Sequence, residues 1–291
     1  MQIDNITNEN AQLKKQKGIF GVIEHSTDLS QYSAMQAISQ YYMQRQNIHK
    51  RQLVIKLENQ EVVLQNGIMQ WISGHIQSDA NVKGVGDFIG KMVKGAVTKE
   101  ATVNPIYRGS GMIICEPTYK HILLEDIEAH GGLVVRDGVY LASEGSVSRE
   151  VSMVKSVSGA IFGGVGLFNT VLRGTGIVAL ESPIPEEELI KVTMSQGEEI
   201  RVDGPFALMW DDEIIMTVER SGKTLIGSAA GGEGLVNVFR GVGSVWLTTA
   251  AASVKYGLAE STANVKTGGS GNKGGSAATG IMSTVIGAIN N

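Results

Sequence analysis

An arginine followed by the pattern Gly-x-Gly recurs three times in this sequence, and side chains placed in register could share one chemical task. The arginines are Arg108, Arg173 and Arg240, which lie 65 and 67 residues apart. Guanidinium groups gathered at a common axis would bind an anion, whereas a guanidinium bonded to a carboxylate of the next segment would join two segments. The residue types alone allow both roles, and we favour the one in which each arginine bridges two segments.

The residues around each arginine favour structural interpretations. Asparagine precedes each copy and is expected to hydrogen-bond backbone at a turn. Glycine follows each arginine and is expected to allow a positive φ or a close approach of two backbones. These predicted turn-forming residues are Asn104, Asn169, Asn237, Gly109, Gly174 and Gly241.

Other glycine-rich stretches could be mistaken for nucleotide-binding loops. The segments GGVGLFN (163–169) and GGEGLVN (231–237) lack the lysine of a phosphate-binding loop, and GVGDFIG (84–90) misses the dinucleotide-binding spacing by one residue. A nucleotide loop also occurs once in a domain, whereas this element recurs. We therefore predict a structural role and no nucleotide cofactor.

Histidine and acidic residues offer one candidate for metal or acid–base chemistry. His121 and His130 flank Glu125, Asp126 and Glu128, but none of the five histidines has the spacing of a known zinc motif. Solvated strand ends are the more common place for such residues, so we predict no metal site and no catalytic residue. An enzyme site assembled in space from histidine and carboxylates stays a remote alternative.

Composition restricts the class of protein. The chain has 291 residues, 42% of them hydrophobic, with 37 glycines and 5 prolines, which favours a β protein with many tight turns. The net charge is −4, so we expect no nucleic-acid partner. The single cysteine, Cys115, lies in an apolar stretch and is expected to be a buried, inert thiol.

The location of the protein is predicted from two further patterns. The N-terminal residues lack the pattern of a secretory signal or a transit peptide. No apolar run reaches the ~18–20 residues that a transmembrane helix needs. We therefore expect a cytoplasmic protein without a transmembrane segment.

Repetition predicts the domain organisation. Short runs rich in Val, Ile and Thr alternate with Asn-Gly or Asp-Gly turns at residues 66, 137 and 203, in step with the arginines. We predict one β domain (51–252) made of three β-sandwich-like modules, and a pseudo-threefold arrangement that buries their apolar faces together. The module boundaries are 51–118, 119–187 and 188–252.

Both ends of the chain differ from this pattern. Within the N-terminal extension (1–50), apolar residues at helical spacing predict an amphipathic helix at about 29–45, with Asp28 as its N-cap. Its stripe consists of Leu29, Tyr32, Met35, Ile38 and Tyr42. We expect this stripe to cover a face or edge of the sheets. The C-terminal residues 253–291 are expected to form a short helix and a flexible Gly/Ser-rich tail.

Several stretches resemble a known family. The segments QWISGHIQ (70–77), EPTYKHILLEDI (116–127), GLFNTVLRGTGIVALESPIP (166–185) and ERSGKTLIGSAAGGEGLVNVFRG (219–241) are similar to the mitochondrial biogenesis family named for altered inheritance of mitochondria. The resemblance runs over about 50–250. It implies a β-sandwich fold similar to the tryptophan RNA-binding attenuation protein, and it implies no enzymatic activity or catalytic residue.

Taken together, the residues and the resemblance predict a non-enzymatic β-rich scaffold or protein-interaction protein that associates with itself. The alternative is a binding module for a small anion or a peptide, held at the axis or between modules. RNA binding does not follow from the fold, because function depends on the site and the chain lacks a basic surface.

Overall fold

The computed structural model describes residues 2–31, 33–80, 104–153, 155–156, 168–203, 205–220 and 235–249. These residues are mostly β, with 60% in strands and 10% in helices. The predicted fold class is confirmed at this level. Residues 84–90, 163–167 and 231–234 of the glycine-rich stretches lie outside the described residues, and so does the C-terminal segment 253–291.

The described residues form eighteen strands and three short helical elements. In chain order the elements are β1 Ala11–Lys17, β2 Phe20–His25, α1 Ala34–Arg45, β3 Lys50–Leu64, β4 Met69–Ala80, β5 Pro105–Cys115, β6 His121–Asp126, α2 Ile127–His130, β7 Leu133–Arg136, β8 Tyr140–Glu144, β9 Val147–Met153, β10 Lys155–Ser156, β11 Phe168–Gly174, β12 Ile177–Ser182, a 3₁₀ helix Glu186–Glu188, β13 Ile190–Met194, β14 Glu199–Asp203, β15 Ala207–Asp211, β16 Ile215–Arg220, β17 Leu235–Arg240 and β18 Gly243–Leu247.

The strands form three sheets in which neighbours are antiparallel, apart from the parallel pair β10 and β16. The largest sheet has the order β1-β2-β3-β8-β12-β6, and β5 joins β3 to β4. The second has the order β13-β18-β15-β7-β11-β9, and the third β10-β16-β17-β14. Three pairings cross the predicted module boundaries, because β3 pairs with β8, β7 pairs with β15 and β10 pairs with β16.

Apolar side chains collect in three large clusters that follow one another along the chain. Their central members are Phe20, Leu53 and Ile113 in the first, Leu133, Tyr140 and Leu180 in the second, and Trp210, Phe239 and Val245 in the third. Strand β8 supplies Tyr140 to the second cluster and Leu141 to the first, and β15 likewise contributes to the second and third. Both strands are therefore buried along most of their length and lie between two cores.

The predicted N-terminal helix is present, but it begins at Ala34 and its N-cap is Ser33, whose hydroxyl accepts from the Gln36 backbone N–H. Asp28 is instead a buried carboxylate, bound by the Lys50 ammonium at 2.9 Å and by the Tyr119 hydroxyl. The expected stripe does not cover a sheet, since its members Leu29, Met35, Ile38 and Tyr42 are exposed. Tyr32 lies outside the described residues.

Candidate functional site

The first repeated arginine is held by carboxylates from the strands on both sides of it. Arg108 lies on β5, between β3 and β4, directly opposite Glu61 of β3. Its Nε donates to Glu61 Oε2 at 2.5 Å, and its Nη1 donates to Asp79 Oδ2 at 3.0 Å. These contacts, led by the hydrogen bond to Glu61, raise the pKa of Arg108 above its usual value.

The third arginine has the same arrangement in the four-stranded sheet. Arg240 lies on β17, between β14 and β16, and directly opposite Glu199 of β14. Its Nε donates to Glu199 Oε2 at 2.8 Å, and its Nη1 donates to Glu219 Oε1 at 2.6 Å. Hydrogen bonds from the guanidinium group lower the pKa of Glu219 and contribute, after that of Arg201, to lowering the pKa of Glu199.

The second arginine obtains its opposite carboxylate from elsewhere. Continuing the β7–β11 register by one residue places Gly132 opposite Arg173, where the other copies carry glutamate. Asp212 occupies this space, since a Cβ added at Gly132 would lie 3.0 Å from the Asp212 Cβ. The guanidinium group donates to both Asp212 oxygens, at 2.5 and 3.2 Å, and to Glu150 at 3.2 Å.

Each repeated arginine is thus paired with two carboxylates, while about half of its side chain stays exposed. Of the three, Arg173 reaches into the next predicted module, through Asp212. The partners of Arg108 and Arg240 lie inside their own modules, contrary to the expected bridging. The physical reason is that neighbouring strands of the same sheet place carboxylates directly beside the guanidinium group, so no carboxylate from another module is needed.

The repeated asparagines differ from the predicted turn residues. Asn169 lies within β11 and Asn237 within β17, so neither is in a turn. Asn104 precedes β5 and is buried against Arg149, whose guanidinium donates to the amide oxygen when the amide is oriented toward it. This last contact joins the first predicted module to the second.

The glycines after the arginines share a positive φ, at 135° for Gly109, 104° for Gly174 and 132° for Gly241. At each of them an added Cβ would meet a backbone carbonyl oxygen, at 2.0, 2.6 and 2.9 Å respectively. Close approach of a neighbouring backbone therefore requires glycine at these positions. Gly109 lies within β5 rather than at a turn.

The two histidines of the alternative metal site lie in different environments. Burial, followed by the nearby charge of Arg51, lowers the pKa of His121 to about 4. His130 instead lies between two carboxylates: its Nε2 is 3.3 Å from Glu125 and its Nδ1 is 3.3 Å from Asp211. The ring also packs edge-on against Trp246, with centroids 5.1 Å apart.

This cluster suits a partly buried ion pair better than a metal centre. Glu125 and Asp211 bind opposite nitrogens of the His130 ring, so the two carboxylates cannot join one ring nitrogen around a single cation. Asp126 is used elsewhere, as the N-cap of α2. In the described stretches of the chain, no group of three or more His, Cys, Asp or Glu side chains is arranged to hold a metal ion.

Sequence reasoning missed Asp211 and Asp212, which follow each other in the acidic run WDDEI (210–214). Asp211 accepts from the Ser244 backbone N–H at 2.7 Å as well as contacting His130, and Asp212 completes the Arg173 cluster. No local signal distinguishes them from solvated acids. Cys115 is buried, and burial raises the pKa of its thiol to about 12, as expected for an inert cysteine.

The His130 cluster predicts a pH dependence of stability. The hydrogen bond to Glu125 raises the pKa of His130 despite burial, and Asp211 adds to the effect. A pKa raised by folding stabilises the protein fully below the unfolded value of about 6.5, and the stabilisation is lost as pH rises through the folded pKa. We expect His130→Asn to lower the melting temperature by roughly 2–4 °C at pH 6 and by less at pH 8.5.

Thermal unfolding at several pH values measures this difference. His75→Asn is the matched control, because His75 is exposed on β4 and its substitution should leave the profile unchanged. An equal loss for His130→Asn at both pH values would show that the imidazolium charge is not what stabilises the cluster.

Within the described parts of the chain, no helix combines the length and apolar character needed to cross a bilayer.

Comparison with known proteins agrees with the resemblance seen in the sequence. A Streptococcus pyogenes serotype M6 protein described as uncharacterized is 24% identical over 194 residues, which cover 64% of this chain and 75% of that protein. The crystal structure of a Streptococcus pyogenes protein shares the fold, with a TM-score of 0.53 at 22% identity over 70% of this chain and 90% of the other. The family model described as mitochondrial biogenesis AIM24 matches residues 43–250. The chain therefore belongs to the mitochondrial biogenesis AIM24 family.

Proposed function

We propose that this protein is a β-rich scaffold that acts through protein–protein contacts, including contacts with further copies of itself. The observation that carries this proposal is the pairing of Arg108, Arg173 and Arg240 with two carboxylates each. Their charge is used to hold neighbouring strands together. The residues that recur along the chain thus support a common framework.

The proposal includes the pseudo-threefold arrangement of the three modules. Two kinds of recurrence support it. The arginine strands β5, β11 and β17 each lie between two strands that precede them in the chain, and the residue opposite the arginine is Glu61, Gly132 and Glu199 in turn. The end of β3 also pairs with β8 as β7 pairs with β15, so successive modules are joined in the same way.

The two alternatives fit the geometry less well. An anion at the arginines would have to displace carboxylates that already bind the guanidinium groups, and the binding of Arg173 by Asp212 is bidentate. An acid–base enzyme built on His130 would need a free ring nitrogen, but both ring nitrogens face carboxylates.

A charge exchange between Arg173 and Asp212 tests whether the repeated arginines stabilise the framework. We expect Arg173→Asp to lower the melting temperature by about 2–5 °C, because a third carboxylate then lies beside Asp212 and Glu150. Adding Asp212→Arg restores opposite charges and should recover part of the loss. Lys15→Glu is the control, since in the described part of the chain Lys15 forms one exposed ion pair, with Glu186.

The same measurement, repeated with inorganic phosphate, separates the scaffold from the anion-binding module. For the scaffold, phosphate shifts the melting temperatures of the wild type and of Arg173→Asp equally. If phosphate stabilised the wild type alone, and the charge exchange recovered nothing, the arginines would be an anion site and this proposal would be overturned.

A further inference from the structure

Helix α1 lies on the protein with its apolar side facing outward. Its exposed side carries Met35, Ile38, Tyr41 and Tyr42, which are 66%, 54%, 52% and 63% exposed, and Leu29 just before the helix is 76% exposed. These five residues are called the outer face of α1. Apolar side chains scattered singly on a surface are ordinary, but a group of this size on one helix marks an interaction site.

The side of α1 that faces the protein is polar. Gln40 is the buried residue of the helix, at 5% exposed, and Gln44 is half-buried one turn further on. Within the described structure, Nε2 of Gln40 and of Gln44 and Nδ1 of His49 are buried without a hydrogen-bond partner. Each such atom destabilises the position of the helix. A helix on a monomeric protein normally has the reverse orientation.

The chain holds α1 in this position through an ion pair before the helix and a hydrogen bond after it. Before the helix, Asp28 binds the Lys50 ammonium at 2.9 Å and the Ser30 hydroxyl at 2.5 Å. After it, the Arg51 guanidinium donates to the Asn47 carbonyl at 3.1 Å. The outer face is therefore presented on an anchored helix, and the unfavourable orientation is stabilised from its ends.

We propose that the outer face of α1 binds the outer face of α1 in a second copy of this chain, across a two-fold axis. The proposal rests on the self-association included in the proposed function and names the surface that carries it. A two-fold contact needs one patch that is complementary to itself, and a patch of apolar side chains satisfies this condition, with the Arg45 guanidinium lying over the Tyr41 ring beside it. Across Ala34–Arg45 the helix carries one charged residue, Arg45, and no acid.

The area of the outer face and the spacing of its residues along α1 both agree with a second copy of this chain as the binding partner. The outer face offers on the order of 500 Å² per copy, so two copies would bury on the order of 1,000 Å², the smallest area typical of a specific interface. Met35, Ile38 and Tyr42 are three and four residues apart, the spacing of a helix–helix seam. A helix that binds a membrane surface instead carries several basic residues on its polar side, and α1 has Arg45 alone at its end.

Sedimentation velocity of the full chain over a wide concentration range tests the proposal. We expect the wild type to form a reversible dimer, and Ile38→Glu to raise its dissociation constant by at least roughly tenfold, since two carboxylates would face each other at the axis. Ile190→Glu is the matched control, because Ile190 is 50% exposed on β13 and Ile38 is 54% exposed. This control should dimerise like the wild type.

A thiol-specific cross-linker identifies the contact directly. Cys115 is 2% exposed, so a cysteine introduced at the surface is the reactive thiol. Ile38→Cys should yield a cross-linked dimer with a short bis-maleimide, and Ile190→Cys should give no cross-linked product. This readout does not depend on a loss of stability, because the substitution keeps a small apolar side chain.

The contrary outcomes separate this inference from the proposed function. Association that Ile38→Glu leaves unchanged would overturn the α1 contact while the self-association stands. A wild type that is monomeric at every concentration would overturn both the contact and the self-association. A monomer that instead co-sediments with vesicles of mixed neutral and anionic phospholipid would show that a lipid surface covers the outer face.

Discussion

Gly109→Ala is expected to destabilise the protein strongly, because strand β4 leaves no room for a methyl group at this position. Gly109 lies within β5 at a φ of 135°, and the added Cβ would lie 2.0 Å from the carbonyl oxygen of His75 on β4. The obstructing atom is backbone, so β4 would have to separate from β5. We expect a loss of at least ~4 kcal/mol and a melting temperature lower by ~10 °C or more.

Gly67→Ala separates the steric effect from the effect of a positive φ. Gly67 has a φ of 82°, and an added Cβ there would meet no heavy atom within 4 Å. Its replacement should cost about 1 kcal/mol, from backbone conformation alone. If thermal unfolding gave the two variants similar melting temperatures, the close approach of β4 to Gly109 would not be what requires glycine.

Arg51 is expected to show the second large effect. This side chain is 5% exposed and its Nε donates to Glu24 at 2.8 Å. Its remaining guanidinium N–H groups donate to the backbone of Asn47, His49 and Lys120. Arg51→Met keeps most of the aliphatic volume but leaves Glu24 and these carbonyls without their donor. We expect a loss of about 3–5 kcal/mol in urea-induced unfolding.

Two further variants identify the origin of that loss. Arg51→Lys keeps the charge but not the planar set of donors, and should recover less than half of the loss. Arg201→Met is the exposed control, because Arg201 is 51% exposed and pairs with Glu199 on its own strand. It should change the stability by under ~1 kcal/mol. A similar small change for Arg51→Met would exclude a stabilising role for the buried guanidinium.

The β class and the positions of the repeated arginines could be predicted from the sequence, because both depend on local patterns. Alternating apolar residues and Asn-Gly or Asp-Gly turns indicate strands, and a motif that recurs at intervals of 65 and 67 residues predicts a similar local structure around each arginine. The family could be predicted for the same reason, since its motifs follow one another in order along the chain.

The partners of these residues could not be predicted, because they depend on which strands become neighbours. Nothing near Arg173 indicates that Asp212 would occupy the space opposite it. His130 likewise meets Asp211 through the packing of α2 against the end of β15. The three- and four-residue spacing of apolar side chains predicted the helix correctly. The same spacing does not determine which side of the helix faces the protein.

The glycine at position 132 has a consequence for how the chain can be divided. Gly132 stands in the predicted middle module where the other two repeats carry glutamate, and Asp212 of the next predicted module binds Arg173 in its place. A middle module cut out of the chain, or moved to another place in it, would carry an arginine whose main counter-ion had stayed behind.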